Sequence, residues 1–343
     1  MRKEILYAIL GGIIFGLIVA FGFYRINSRL STSKKSLIPS KPVATPINFD
    51  SKEFKIVLDK PENNDVLTQS TIMVSGITKP TTFVIINGEN SDYIVQTNSE
   101  GVFNQEVELV AGINQIKVTA FDSKGTQSTT DVLVVYSSSF LERTTSSPSP
   151  QDSTESATVS SDIRKKVAQD VANTINRPKA YIGTVTDITD STIEIKTGVS
   201  EIKQISIGTV TTSVVNAVGT ANKTVKTSDI AIGDFIVAMG YIQTSSVLGA
   251  QRILISNPIS KLKIVSNKAV VTAISKKSLT VKMDDKEETI TPDTKTNMLV
   301  YKDGKVATTK LASILQDDTI IYIEKSDDKD ITTTRSIFVT PKI

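Results

Sequence analysis

Apolar and polar side chains alternate through most of the chain after residue 52, the period of a half-buried strand. The alternation is plain in Phe54-Lys55-Ile56-Val57-Leu58 and in Gln115-Ile116-Lys117-Val118-Thr119-Ala120. Thr71–Ser75, Thr82–Ile86, Tyr93–Thr97, Val102–Leu109 and Asp131–Tyr136 are further strands of this kind. Turn-forming Pro61-Glu62-Asn63-Asn64, Asn87-Gly88, Glu100-Gly101 and Lys124-Gly125 separate them. Seven short strands at this spacing predict a sandwich over residues 52–136.

Elsewhere the period changes. Ile5–Tyr24 is an uncharged, nearly apolar run of 20 residues, about 30 Å of helix and enough to cross a bilayer. It is longer than the apolar region of a cleaved signal and runs into Phe21-Gly22-Phe23-Tyr24-Arg25, so an uncleaved anchor over residues 1–25 is expected. Tyr7, Phe21, Phe23 and Tyr24 suit its two interfaces. Ala8, Gly12, Gly16 and Ala20 recur every fourth residue, a small-residue stripe along which two such helices can associate. Residues 26–51, with Pro39, Pro42 and Pro46, read as an extended tether, and residues 137–160, rich in Ser and Pro, as a disordered linker. Over residues 161–177, Ile163, Val167, Val171 and Ile175, with Ala168 and Ala172, form one stripe of a short amphipathic helix. Ser161 or Asp162 can cap it and Pro178 ends it.

Residues 178–258 and 264–343 read as a divergent duplication. Gly183–Lys196 aligns with Ala269–Lys282, pairing Val185 with Val271, Thr186 with Thr272 and Ile188 with Ile274. Ile230–Ile236 aligns with Ile314–Ile320, and Arg252–Ile255 with Ser336–Val339. About five alternating strands and one short helical turn per copy predict a small barrel, OB-like or SH3-like. The expected fold class is therefore mainly β: a transmembrane helix, an Ig-like sandwich, a short helix and two small barrels.

Two stretches carry resemblances. Val74-Ser75-Gly76, Ile86-Asn87-Gly88, Asn98–Phe103 and Leu109–Asp122 occur in the order found in bacterial Ig-like domains of surface proteins and of accessory parts of secreted glycosidases, which residues 52–136 resemble. That resemblance implies a spacer or binding module and brings no catalytic residue. The first repeat is similar to an uncharacterised bacterial envelope domain with a Gly-Thr-Val-x-x-Ile pattern, here Gly183–Ile188, and an Ile-x-x-Gly-Asp pattern, here Ile230–Asp234. The second repeat has Ala269 and Asp317 at the glycine positions. This resemblance implies an envelope location.

Composition removes much chemistry. The 343 residues include no Cys, His or Trp, which excludes disulfides, thiolate nucleophiles, imidazole acid–base devices and the commonest zinc sites. No cofactor is predicted. The net charge of +3 is misleading. Residues 1–41 hold Arg2, Lys3, Arg25, Arg29, Lys34, Lys35 and Lys41 against Glu4 alone, so the rest is slightly acidic. Nucleic acid is not an expected partner, because a phosphate-binding face would need clustered cations.

Several constellations bear on chemistry. Ser200-Glu201-Ile202-Lys203 spells Ser-x-x-Lys, but on a strand residues three apart point to opposite faces; Ser31 and Lys34 repeat the spacing in the tether. Asp284-Asp285, Asp317-Asp318 and Asp327-Asp328 are adjacent acids of the kind that sit in turns, whereas a glycosidase needs two carboxyls across a cleft. The same turns, or Asn98, Glu100 and Asp122, could offer oxygen to Ca²⁺. Tyr181, Phe235 and Tyr241 in one repeat, and Tyr301, Tyr322 and Phe338 in the other, suit a core and its rim as well as a base-stacking platform. Lys276-Lys277 is a short basic run near a hairpin tip.

The sequence thus predicts a single-pass, membrane-anchored bacterial envelope protein. Its role is non-catalytic: structural, adhesive or binding, with a cell-wall polymer or another envelope protein as partner and a homodimer through the anchor. A sensory or regulatory ectodomain is the alternative. Arg25, Arg29, Lys34 and Lys35 after the span outnumber Arg2 and Lys3 before it, which favours the C-terminal side in the cytoplasm. The β modules on Ser/Thr/Pro linkers favour the outside, and the outside is the expectation adopted.

Overall fold

The computed structural model describes residues 54–140 and 177–340, apart from positions 124, 209–211, 220, 244–245, 261–262, 284, 303 and 328. The protein is mainly β. Helix among these residues is limited to short 3-10 turns, such as Thr227–Asp229 and Leu311–Ser313. The anchor, the tether, the amphipathic stripe of residues 163–175 and nearly all of the linker lie outside the described residues. Among those described, no helix is long and apolar enough to cross a membrane.

Residues 54–140 fold into two facing layers. Strands β1 (Val57–Lys60), β3 (Thr71–Ile77) and β6 (Val102–Glu108) make a three-stranded sheet. The other layer runs in the order β2 (Asp65–Leu67), β8 (Gln127–Tyr136), β7 (Gly112–Phe121), β4 (Phe83–Asn87) and β5 (Asp92–Gln96). Val74, Phe103 and Val107 of the first layer meet Val84, Ile86, Ile116, Val118 and Val134 of the second. Turn chemistry sets the corners. Asn98 Oδ1 accepts the N–H groups of Glu100 and Val102 at 3.0 and 2.8 Å. Gly101 follows with φ +80°, where a Cβ would lie 2.0 Å from the Thr78 carbonyl oxygen. Asn114 closes the entry to β7 by accepting from the Val110 N–H and donating to the Val110 carbonyl, both at 2.7 Å.

The first repeat contains β9 (Pro178–Ile188), β10 (Thr192–Lys196), β11 (Ile202–Ser206), β12 (Ser213–Asn216), β13 (Lys223–Val225), β14 (Phe235–Ile242) and β15 (Leu248–Ser256). The second contains β16 (Ile264–Ile274), β17 (Leu279–Met283), β18 (Lys286–Ile290), β19 (Asn297–Lys302), β20 (Lys305–Thr308), β21 (Thr319–Ser326) and β22 (Thr332–Thr340). Their local geometry matches. Gly233 donates to the Val185 carbonyl while Val185 donates to Asp234; Asp317 donates to the Val271 carbonyl while Val271 donates to Asp318. Asp317 has φ +68° where Gly233 has φ +96°, so an aspartate occupies the left-handed position that glycine fills in the first repeat.

The architecture departs from a pair of separate OB-like or SH3-like barrels. The second repeat is an open seven-stranded sheet, β18-β17-β16-β21-β22-β19-β20. In the first, β9, β10, β11, β15 and β14 pair in a ring, but the strands continue beyond it. Asp65 of β2 pairs with Lys179 of β9, which joins this repeat to the sheet of residues 54–140 in one solenoid-like run of twelve strands. Edge satisfaction explains the fusion: β2 and the start of β9 would otherwise leave backbone donors and acceptors unpaired.

Two junctions hold the repeats to the central layers. Val66, Val135 and Phe140 pack on Ala180, Val237, Met239 and Tyr241 of the first repeat. Around them Lys179 Nζ lies 2.7 Å from both Glu62 and Asp65, and Arg177 lies 2.7 Å from Glu62. On the other side Phe83, Ile85, Ile94 and Phe121 pack on Ile264, Tyr301, Ile321, Ile323 and Phe338 of the second repeat. Phe83 and Tyr301 meet edge to face with centroids 5.3 Å apart. At the margin of this apolar patch Asp92, with a fully buried side chain, accepts from Ser336 Oγ at 2.6 Å and from Asn87 Nδ2 at 2.9 Å, and pairs with Arg335 Nε at 3.2 Å. Arg335 Nη2 donates to the Gly88 carbonyl at 3.0 Å.

Removing one partner of a buried, hydrogen-bonded ion pair leaves an uncompensated charge and costs about 3–5 kcal/mol. Asp92→Ala is therefore expected to lower unfolding stability by that amount. Asp92→Ala combined with Arg335→Met should cost clearly less than the two single changes added together, as read from urea midpoints of the four proteins. Additive losses would mean that the pair is not coupled.

Candidate functional site

Among the described residues, a cleft of about 640 Å³ opens on the first repeat beside the chain that leaves the central layers. Ser139 and Phe140 line it from that side, and Ser206, Ile207, Gly208, Ser213, Gln243 and Gly249–Arg252 from the repeat. Its floor is an irregularity in β15. Met239 pairs with Arg252 and Gly240 with Ala250, so Gln251 is an extra residue opposite no partner, a β-bulge. Leu248, Ala250, Ile253 and Ile255 pack into the core of the repeat. Gln251 and Arg252 instead line the cleft.

Neighbouring backbone groups are tied down. Thr212 Oγ1 donates to the Ala250 carbonyl at 2.8 Å and accepts the Gly208 N–H at 3.1 Å. The Gln243 side-chain amide lies against Gly249, where a Cβ would come 2.3 Å from Gln243 Nε2. Phe140 and Tyr241 rings pack with centroids 6.1 Å apart and close one wall. Within this frame Gln251 Oε1 and Arg252 Nε are buried with no hydrogen-bond partner among the described residues. Burial pushes the Arg252 guanidinium below its ordinary pKa. The lining side chains thus offer three hydroxyls, two amides and one cation.

A second polar cluster lies in the second repeat. Tyr322 Oη donates to Glu288 Oε2 at 3.0 Å, and Asn267 Nδ2 approaches Glu324 Oε2 at 3.4 Å. Burial, then the Glu288 hydrogen bond and charge, push the Tyr322 phenol up. Burial, then the charge of Glu288, hold the Glu324 carboxyl above the ordinary carboxylate range.

The residues singled out in the sequence take other roles. Ala8, Gly12, Gly16 and Ala20 lie outside the described residues, as do Ser31, Lys34, Asp284 and Asp328. Lys203 pairs with Glu201 at 2.9 Å, and that hydrogen bond raises its pKa, the opposite of an activated base. Asp318 Oδ2 accepts the Leu315 N–H at 2.8 Å, and Asp327 Oδ1 accepts from Lys329 and Ile331; these acids cap turns. Asn98 does the same, and Asp122 Oδ1 accepts the Thr126 N–H at 2.9 Å. Among the described residues no three acidic side chains group to hold a metal ion. Tyr241, Tyr301, Tyr322 and Phe338 are buried, three of them in the junctions, so they are anchors of packing and not exposed platforms. Lys276 and Lys277 are exposed at a hairpin tip.

Gln251 and Arg252 escaped the sequence reading. The available signal was a polar pair interrupting the apolar closing strand Leu248–Ile255, where alternation calls for one polar position at a time.

No protein-family model and no characterised protein matches the sequence. Among solved structures the chain is similar to a multidomain protein with nucleic acid binding domains from Streptococcus pneumoniae, at 13% identity and a TM-score of 0.14, over 46% of this chain and 44% of that one. It thus spans less than half of the pneumococcal protein. It is also similar to a structure from a 1.5-MDa bacterial ice-binding adhesin, at 12% identity and a TM-score of 0.19, over 84% of this chain and 96% of that one. A third likeness is to a tetra-tandem repeat in the extending region of a large adhesion protein, at 11% identity and a TM-score of 0.21, over 83% and 72% of the two chains. At these TM-scores the likenesses transfer neither a fold nor an activity.

The Glu324 carboxyl gives a signed expectation for pH. Its raised folded-state pKa means that the folded protein binds more protons there than the unfolded chain, so stability falls as pH rises from the ordinary value of 4.5 through the folded one. Glu324→Gln should flatten that decline when urea midpoints are compared between about pH 4 and about pH 7. An unchanged slope would place the titration elsewhere.

Proposed function

We propose that the chain is a single-pass bacterial envelope protein, anchored through residues 5–24, whose extracytoplasmic β head binds a surface polymer or another envelope component without chemical turnover. The head is read as an Ig-like module, residues 52–136, flanked by two copies of an envelope repeat. The observation that carries this reading is the cleft on the first repeat. Its lining side chains are hydrogen-bond donors and acceptors with one permanent cation, and two buried polar atoms there have no partner among the described residues. Such groups orient a ligand; Ser, Gln and Arg in this setting do not exchange protons near neutral pH. The uncharged run Ile5–Tyr24 supports the anchor, and the Pro-rich stretch that follows supports a head held away from the membrane.

The location is tested on intact cells carrying a tag after Ile343. Added protease is expected to remove the tag signal while a cytoplasmic marker survives. A tag protected until lysis would place the head inside and contradict the reading.

A further inference from the structure

Both repeats carry the same β-bulge, and among the described residues a carboxylate meets only that of the second, where Arg335 Nη1 alone is left buried without a partner. In the second repeat Ile323 pairs with Ser336 and Glu324 with Thr334, leaving Arg335 as the extra residue. In the first, Gln251 is the extra residue and Arg252 follows it. Arg335 and Ser336 close on one carboxylate oxygen, Asp92 Oδ2, at 3.2 and 2.6 Å. Gln251 and Arg252 stand at the corresponding positions, and there the cleft offers a buried acceptor, Gln251 Oε1, and a buried donor, Arg252 Nε, with no partner among the described residues.

We infer that the cleft of the first repeat binds an anionic saccharide unit, whose carboxylate or phosphate oxygen takes at the Gln251–Arg252 pair the place that Asp92 takes at the Arg335–Ser336 pair. This rests on the binding role proposed above and adds the chemical class of the ligand. The sign follows from the lining, which among the described residues holds one guanidinium and no carboxylate. An anion also relieves the desolvation that weakens the charged form of Arg252. A polyhydroxylated ligand follows from the acceptor Gln251 Oε1, which needs a donor, and from the hydroxyls of Ser139, Ser206 and Ser213 around it. The volume of about 640 Å³ suits one or two sugar rings. A peptide fits less well, since peptides add to free strand edges and the Ala250 carbonyl is already taken by Thr212. A nucleic acid strand needs exposed stacking faces, whereas Phe140 is buried against Tyr241.

Calorimetric titration of the full chain in detergent tests this with four oligomers of matched length: an oligogalacturonate, a glycosyl glycerol-phosphate, a neutral oligogalactoside and a polyglutamate. At least one of the first two is expected to bind, and which one distinguishes a sugar carboxylate from a phosphate. The other two are expected to be silent. Arg252→Met should lower affinity about ten- to hundredfold with the unfolding midpoint unchanged or raised, because it removes an unpartnered buried donor. Arg252→Lys should not restore binding, since an ammonium lacks the planar fork. Gln251→Glu should place a carboxylate beside Arg252 and abolish binding from within. Equal binding of the neutral oligomer, binding of polyglutamate alone, or full affinity in Gln251→Glu would overturn the anionic-saccharide assignment. If the neutral oligomer binds and Arg252→Met abolishes it, the ligand class falls and the binding role stands. If all four are silent, the anionic-saccharide assignment falls; if the tag is also protected in intact cells, the binding role falls with it.

Discussion

A strand with no exposed face lies at the centre of this protein. In β4 every residue from Phe83 to Asn87 is buried. Successive side chains of a strand point to opposite faces, so Val84 and Ile86 enter the core between the two central layers while Phe83 and Ile85 enter the patch covered by the second repeat. Leaving that second face in water would expose several large apolar side chains, each worth about 1.5–3 kcal/mol when buried. The rest of the architecture answers this constraint. The second repeat covers β4, and the first extends the same sheet past β2.

Apolar contact is non-directional, and the polar margin of the patch supplies direction. Asp92 sits where Arg335, Ser336 and Asn87 all reach it, and Ser266 Oγ donates to Asn87 Oδ1 at 3.2 Å behind it. A buried charge is tolerable only when paired and hydrogen-bonded, so the network holds in one register of β22 against the β4–β5 hairpin. The bulge that aims Arg335 at Asp92 recurs in the first repeat, where no carboxylate from the central layers meets it. One duplicated irregularity therefore yields a structural joint in one copy and lines a cleft in the other.

Most strands were legible because alternation and turn residues are local signals; the candidate strands at Thr71–Ser75 and Asp131–Tyr136 fall within β3 and β8, and Val102–Leu109 overruns β6 by one residue. β2 was not, since its three residues pair in parallel with β8 and no hairpin turn announces them. Asp317 reads in sequence as the loss of a glycine, although the backbone conformation survives. The junctions were hidden for another reason. Phe83-Val84-Ile85-Ile86 is an unbroken apolar run, which signals burial on both faces, but nothing local names the covering surface. Tyr301 and Phe338, which have the composition of a core or a stacking platform, are part of that surface. The cleft depends on a bulge register that only pairing reveals.

The central claim is that residues 54–140 and both repeats form one cooperative block through these junctions. Scanning calorimetry of the full chain in detergent tests it most directly. The account predicts a single heat-absorption peak for the β head, with calorimetric and van't Hoff enthalpies in agreement. Separate peaks for the central layers and the repeats, each at its own temperature, would contradict it.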